Sequence, residues 1–141
     1  LLADLINHIP EKEIEHILIS GRCESDETDL LDTYKIKSKI IYLDDVQRSV
    51  FLFRDIKSIF ALYLILRKLK PAIVHTHLSK AGVLGRVAAK ISNPKVVLIH
   101  TFHGHLLSGY FNQFKVKIII GIEKFLSQFL KLRAWHVSNC W

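Results

Sequence analysis

Short apolar blocks separated by polar and turn-forming residues run along the chain, and their spacing predicts strands and helices in alternation. β-Branched and aromatic runs predict strands at residues 14–19, 39–43, 72–74, 96–99 and 134–137. Apolar side chains that recur every three or four positions predict helices at residues 1–9, 54–69, 79–91 and 114–130. An acidic segment at residues 24–32 predicts a solvated loop or a short helix. Strands that alternate with helices of this length predict one α/β domain with a parallel sheet.

The helix predicted at residues 54–69 carries a wide apolar stripe that we expect to pack into the core. Pro71 follows its last turn and is a normal stop signal. The stripe consists of Ile56, Ile59, Phe60, Tyr63, Leu64 and Leu66.

Residues 70–105 hold the most informative pattern, a strand, a helix and a second strand with histidines where each strand stops. The first strand runs into H-T-H and the second into H-T-F-H-G-H. Parallel strands finish at the same edge of a sheet, and ligands of open α/β sheets bind at that edge. We therefore expect the imidazoles of residues 75, 77, 100, 103 and 105 to belong to one candidate site. Alternate residues of a strand share a face, so His75 and His77 should point together.

The start of the helix at residues 79–91 offers a second kind of chemistry. The Ser79 hydroxyl is placed to cap the free amides of the first turn, and Lys80 adds a charge, so the two could hold a phosphate. An ordinary cap beside a solvated lysine explains the same residues equally well. Gly82 and Gly85 form only a G-x-x-G pattern, which favours close packing of helix on sheet over a dinucleotide site.

A metal site is the less favoured interpretation of the histidines. Three or four converging imidazoles could bind zinc. However, no Asp or Glu occurs between Asp55 and Glu123, so no local carboxylate is available to orient metal-bound histidines. We therefore expect no metal.

Size and composition indicate one globular domain that is large enough to bury a core. It has 141 residues, half of them hydrophobic, and no apolar run approaches the roughly 20 residues needed to span a bilayer. Cys23 and Cys140 are isolated thiols near opposite ends, which favours a reducing, cytoplasmic setting. The first residue is Leu1 rather than Met, and we expect the chain to be a fragment.

The two parts of the chain differ strongly in charge. Residues 1–55 carry twelve acids and seven bases, whereas residues 56–141 carry one acid and thirteen bases. Such an excess usually faces an anionic phosphate ligand, lipid surface or nucleic acid, although a solvated face beside an acidic neighbour fits as well. Nucleic acid is disfavoured because the aromatic residues do not alternate along a strand. The basic helix at residues 114–130 could lie on an anionic membrane, but burial is the simpler interpretation.

At residues 70–105 the sequence resembles a known family. K-P-A-I-V-H-T-H-L-S-K-A-G-V-L-G-R-V-A-A-K, followed by V-L-I-H-T-F-H-G-H and then G-Y-F, resembles the N-terminal domain of family 4 glycosyltransferases, particularly bacterial enzymes of capsule and lipopolysaccharide synthesis. The likeness is specific there and weaker elsewhere between residues 1 and 138. It implies a GT-B enzyme with two Rossmann-like domains, each a parallel sheet with helices on both faces. Residues 1–141 would be the acceptor-side half without its first strand, and the donor-binding C-terminal domain would be absent.

The resemblance also implies an activity. Family members transfer a sugar from a nucleotide sugar with retention of configuration, without a metal or other cofactor, to a lipid-linked or glycan acceptor. They act in the cytoplasm, where we also expect contact with the inner face of the plasma membrane and none with nucleic acid. By this likeness His103 faces the donor sugar, and the loop at residues 104–111 borders the acceptor. The expected substrate-binding residues are His75, Thr76, His77, Ser79, Lys80, Gly104 and His105.

Three classes of protein stay open at this point. The first is a glycosyltransferase fragment, which we expect to be inactive alone because half a cleft cannot preorganise donor and acceptor. The second is half of a GT-B nucleotide-sugar epimerase, against which the near absence of acids after Asp55 counts. The third is a non-catalytic α/β binding module, which should have a complete first strand.

Overall fold

The structure, a computed structural model, describes residues 6–10, 12–22, 36–46, 51–101, 117, 121–122, 124–126 and 128. The elements are β1 (Ile17–Gly21), β2 (Lys39–Leu43), α1 (Leu52–Leu69), β3 (Ile73–His77), α2 (Ser79–Ser92) and β4 (Val97–Thr101). Parallel strands that alternate with helices confirm the predicted α/β class. The loop or short helix predicted at residues 24–32 and the strand predicted at residues 134–137 lie outside the described residues. Those described between residues 117 and 128 are helical, as predicted.

The chain divides into two compact units, Leu1–Asp55 and Ile56–Trp141. In the first unit, residues 6–8 are helical and the helix ends before Pro10, as predicted. β1 and β2 pair in parallel from Ile17 opposite Lys39 to Gly21 opposite Leu43. β2 has the predicted bounds.

The bounds predicted for β1 are wrong, because Gly21 belongs to the strand instead of ending it. Glycine is required there by a close approach of the backbone: a Cβ on Gly21 would overlap the carbonyl oxygen of Val46. A glycine inside a strand often marks such a contact rather than a break.

α1 begins at Leu52, two residues before the predicted start, and its buried face differs from the predicted stripe. The backbone amide of Asp55 donates to the carbonyl of Phe51 at 2.8 Å, which closes the first turn. The buried positions lie at helical spacing on one side of the helix. They are Asp55, Ser58, Leu62 and Leu66, whereas Ile56, Phe60 and Leu64 are more than half exposed. The stripe prediction is right for Leu66, which is 5% exposed, and wrong for Ile56, Phe60 and Leu64. It failed there because α1 is apolar on both sides, and periodicity could not choose between them.

The second unit contains the β3–α2–β4 segment predicted from residues 70–105. β3 and β4 pair in parallel, as expected, with Ile73 opposite Val97 and His77 opposite Thr101. α2 packs against both strands. The core of this unit among the described residues consists of Leu62, Leu66, Leu84, Ala88, Ala89, Val96, Leu98 and Leu126. Fully burying a leucine side chain stabilises a fold by about 1.5–3 kcal/mol, so the burial of Leu84 on α2 and of Leu98 on β4 stabilises this unit.

Hydrogen bonds between the described strands join β1 to β2 and β3 to β4, so each pair is its own two-stranded sheet. The single sheet expected from the sequence is therefore not seen among these strands. Hydrophobic patterning predicted the strands themselves, but it carries no information about which strands become neighbours. In the described part of the chain, no helix is long and apolar enough to cross a bilayer.

Candidate functional site

The carboxyl ends of β3 and β4 stop level with each other and present polar side chains on one face. The rings of His75 and His77 lie 4.2 Å apart between centroids, at an angle of 34°. A hydrogen bond of 2.7 Å joins His75 Nε2 to the hydroxyl of Thr101. The prediction that His75 and His77 share a face is confirmed. His75 is exposed and His77 half-buried, so a ligand can approach both from the same side.

This group, which we call the His75 edge, consists of His75, His77 and Thr101. Imidazole and hydroxyl groups both donate and accept hydrogen bonds, and imidazole exchanges a proton near neutral pH. Such groups suit the hydroxyls of a sugar or the oxygens of a phosphate. The hydrogen bond to Thr101 fixes the orientation of the His75 ring and holds the ends of β3 and β4 together.

Thr76 and His100 lie on the opposite face of the same two strands, against α2. Thr76 is 8% exposed and His100 is fully buried. The expectation that residue 100 joins the other imidazoles in one exposed site is therefore wrong for the His100 side chain, and the side chain of Thr76 does not join them either. The strand alternation that brings His75 and His77 together turns their neighbours towards the helix.

The buried pair is held by hydrogen bonds that can all form together in only one tautomer of His100. The ring Nδ1 lies 2.8 Å from the Thr76 hydroxyl and 3.1 Å from the Thr76 carbonyl oxygen. The Thr76 hydroxyl donates to the carbonyl of Ile99 at 3.3 Å. Because a carbonyl oxygen can only accept, Nδ1 must carry the proton for these bonds to form together.

Two glycines let α2 approach this buried pair. A Cβ on Gly82 would lie 2.9 Å from Nδ1 of His100 and closer still to the ring carbon beside it. A Cβ on Gly85 would lie 2.9 Å from the methyl group of Thr76. The prediction that the G-x-x-G pattern serves close packing of helix on sheet is confirmed.

Arg86 is a buried charged residue that the sequence analysis missed. Its side chain is fully buried, and its Nε donates to the carbonyl of Gly82 at 2.8 Å within α2. The available signal was its helical spacing from Gly82 and Ala89, four residues before it and three after it, which places an arginine on a face of small residues. That bond holds the side chain of Arg86 against the turn that contacts His100.

The turn between β3 and α2 differs from the predicted cap. α2 begins at Ser79 as expected, but the N-cap residue is Leu78 and no side chain caps the helix. The Ser79 hydroxyl oxygen is shielded from solvent and makes no hydrogen bond with the described residues. Leu78 has φ 65° and ψ 157°, a conformation that is strained for any residue with a Cβ. Lys80, the second residue of α2, is half-buried.

The remaining predicted site residues, His103, Gly104 and His105, lie outside the described residues, as does the loop at residues 104–111. Within the ranges that the structure describes, no three His, Cys, Asp or Glu side chains are grouped so that they could hold a metal ion.

A parallel α/β unit with polar groups at the carboxyl edge defines a class of domains that bind small molecules beyond their strand ends. The chain belongs to Glycosyltransferase Family 4, which it matches over residues 1–138. Among the three classes that the sequence left open, the first is the one that names this family.

Two curated relatives are similar to part of the chain. One is the UDP-Gal:alpha-D-GlcNAc-diphosphoundecaprenol alpha-1,3-galactosyltransferase of Escherichia coli, 46% identical over 45% of this chain and 18% of its own length. Another is the capsular polysaccharide biosynthesis glycosyltransferase CapM of Staphylococcus aureus, 34% identical over 48% of this chain and 17% of its own length. The matched part of the chain thus spans less than a fifth of either relative. No solved structure matches the chain.

Proposed function

We propose that this chain supplies the acceptor-side domain of a retaining glycosyltransferase that builds a cell-surface polysaccharide. The observation that carries the proposal is the His75 edge, at the edge of an α/β unit where small-molecule ligands bind. Family membership supports the reaction class.

The proposed donor is a UDP-hexose and the proposed acceptor a glycan on a lipid diphosphate. The name of the E. coli relative supports this choice, since it specifies UDP-galactose and a diphosphoundecaprenol-linked GlcNAc. The charge of the chain also supports these substrates. Residues 56–141 carry thirteen bases and one acid, and both proposed substrates carry phosphates. A role in capsule synthesis has support from the similarity to CapM.

His103 is the proposed catalytic residue, facing the donor sugar. In the sequence it follows Thr101 by two residues, a distance of at most about 7 Å along an extended chain, so the reacting sugar would lie beside the His75 edge. His75 and His77 would position acceptor hydroxyls, because an oriented acceptor is the main requirement of a transfer reaction. Ser79, Lys80, Gly104 and His105 would complete the acceptor side. Thr76 would not touch the acceptor. It would support the site indirectly, through its hydrogen bonds to His100 on the face towards α2.

The proposal includes no resident metal or cofactor. Carboxylates that could orient metal-bound histidines are absent between Asp55 and Glu123. The enzyme would work in the cytoplasm, peripherally at the inner face of the plasma membrane, since a lipid-linked acceptor is anchored there.

The test is transfer of labelled galactose from UDP-galactose to a lipid-diphosphate-linked GlcNAc by the whole protein. The His103→Ala variant should lose about 100-fold or more in kcat, the usual contribution of a positioned histidine. The His77→Ala variant should instead raise the KM for the acceptor. NMR of the product should show an α-linkage, as in the donor.

The control variant is His16→Ala, because His16 is a half-buried histidine of the other unit. Its kinetics should be those of the wild type. A β-linked product would exclude retention, and absence of transfer with every UDP-hexose tested would contradict the proposal.

A further inference from the structure

The His75 edge offers two imidazoles from alternate positions of one strand. His75 and His77 lie on the same face of β3, with their ring centroids 4.2 Å apart. Imidazole is the commonest metal ligand among protein side chains. Because the strand holds the two rings side by side, one ion can contact a nitrogen of each.

The hydrogen bond between His75 and Thr101 determines which nitrogen of His75 would bind the ion. Nε2 of His75 lies 2.7 Å from the hydroxyl oxygen of Thr101. When Nε2 carries the proton and donates to this oxygen, Nδ1 has the lone pair that a metal ion requires. Metal-bound histidines almost always donate their other ring N–H in this way, often to a carboxylate. At the His75 edge the Thr101 hydroxyl supplies the acceptor, in a stretch of sequence without carboxylates.

The separation of the two rings favours a square-planar ion over a tetrahedral one. A metal–nitrogen bond of about 2.0 Å places the centroid of an imidazole about 3.2 Å from the ion. Two rings on neighbouring positions of a square-planar ion then have centroids about 4.5 Å apart, and two rings on a tetrahedral ion about 5.2 Å. The observed 4.2 Å is closer to the square-planar value. Rotation about the Cβ–Cγ bond, a broad torsion in histidine, turns the rings but hardly changes the distance between their centroids.

We propose that His75 and His77 chelate a divalent ion that prefers square-planar coordination, Cu²⁺ above all, and that this ion inhibits the enzyme. Among first-row divalent metals, copper binds nitrogen ligands most tightly and favours this geometry. Two protein ligands, with water completing the coordination, are fewer than the three or four that hold catalytic and structural zinc. The ion is therefore a reversible ligand and not a resident cofactor. The inhibition rests on the proposed function, because the ion would occupy the imidazoles that position the acceptor.

The test is calorimetric titration of the whole protein with CuCl₂, with electron paramagnetic resonance of the bound ion. The spectrum of the tightest site should show couplings from two imidazole nitrogens. Thr101→Val should weaken binding about tenfold, the usual effect of removing the partner of a metal-bound histidine, and Thr101→Ser should bind as the wild type does. His75→Ala and His77→Ala remove a ligand, so each should weaken binding more than Thr101→Val. Ni²⁺ and Zn²⁺ should both bind more weakly than Cu²⁺.

The matched control is His8→Ala, because His8 is exposed like His75 but belongs to the other unit. Copper binding at the tightest site should be the same as in the wild type. Circular dichroism melting curves verify that every variant is folded. Equal copper affinity of the wild type and the His75→Ala/His77→Ala variant would overturn the proposal, and so would tighter binding of Zn²⁺ than of Cu²⁺.

Transfer assays separate the metal site from the proposed function. Cu²⁺ should raise the KM for the acceptor and leave kcat unchanged, and EDTA should restore the original KM. An unchanged KM at saturating Cu²⁺ would refute the inhibition. Normal transfer by a protein that does not bind copper would contradict the metal site alone. Copper binding without transfer from any UDP-hexose would contradict the proposed function, and the metal site would stand.

Discussion

At the scale of single residues, the contact between Gly82 and His100 sets the distance between α2 and the strands beneath it. The His100 ring is fully buried and occupies the space that a side chain at position 82 would need. Its Nδ1 is bonded to Thr76, so the ring has little freedom to move aside. Packing and hydrogen bonding therefore restrain the same ring.

Replacing Gly82 by alanine should destabilise the protein by about 1–3 kcal/mol, the usual cost of adding a methyl group to a filled core. Gly121→Ala is the matched control, since Gly121 is helical and its Cβ would meet nothing within 4 Å. That change should stabilise by up to about 1 kcal/mol, because alanine is the better helix former. Urea unfolding of both variants measures the difference. Equal effects would show that His100 does not limit the approach of the helix.

The tautomer of His100 leads to a second prediction. With the proton on Nδ1, the assignment that satisfies all three hydrogen bonds, His100→Asn can reproduce the donor through its amide. This variant should therefore cost less stability than His100→Gln by about 1 kcal/mol, the net value of a hydrogen bond. Unfolding curves of the two variants and the nitrogen chemical shifts of the ring provide the measurement. A ring protonated at Nε2 alone would contradict the assignment.

At the scale of elements, the turn between β3 and α2 stores strain. Leu78 has φ 65° and ψ 157°, which only glycine adopts easily, at a cost of order 1–3 kcal/mol for other residues. Leu78→Gly should therefore stabilise the protein, by about 1 kcal/mol after the added flexibility of the unfolded chain is subtracted. The readout is the melting temperature.

The control for Leu78 is Ile91→Gly, because both side chains are about 60% exposed and apolar, and Ile91 lies inside α2. This variant should be destabilised by a few tenths to about 1 kcal/mol. If both variants lose stability alike, Leu78 is not strained.

The sequence predicted the positions of strands and helices better than it predicted which helix faces are buried and which strands are neighbours. β2, the start of α2 and the parallel pairing of β3 with β4 follow from apolar runs, a β-α-β spacing and turn residues. The buried side of α1 could not be predicted, since Asp55 and Ser58 turn inward while Phe60 and Leu64 stay exposed. Which side of α1 is buried depends on contacts with residues distant in the sequence, and hydrophobic periodicity gives no information about such contacts.

The candidate site was predicted in part. Alternation was sufficient to place His75 and His77 together. The same alternation could have predicted that Thr76 lies on the opposite face. The position of His100 could not be predicted in this way, because it also depends on the register of β4 against β3, which no local pattern gives. The strained cap at Leu78 and the buried Arg86 contradict residue preferences, and such exceptions arise from tertiary packing.

At the scale of the whole molecule, the charge is distributed unevenly along the chain. Residues 56–141 hold thirteen of the bases and a single acid. A concentration of positive charge raises the local concentration of anionic ligands and speeds their encounter, with an effect that extends over about a Debye length.

The proposed diphosphate substrates should therefore react in a salt-dependent way. Raising the salt concentration from about 0.01 M to about 0.1 M shortens the Debye length from roughly 30 Å to roughly 10 Å. We expect kcat/KM to fall several-fold while kcat stays nearly constant. Steady-state kinetics in buffers of graded ionic strength measure this, with sucrose as an uncharged control for viscosity. A constant kcat/KM would show that the charge has no part in substrate capture.

The fit of Gly82 against His100 also restricts how this protein can vary in evolution. The ring at position 100 fills the space that the absent side chain at position 82 leaves. A change at either position alone therefore worsens the packing. Natural variants should change them together, with an alanine or serine at position 82 accompanied by a smaller residue at position 100. Positions 82 and 100 are 18 residues apart in the chain. If they co-vary, the sequences of relatives alone would indicate how closely the helix packs on the sheet in each of them.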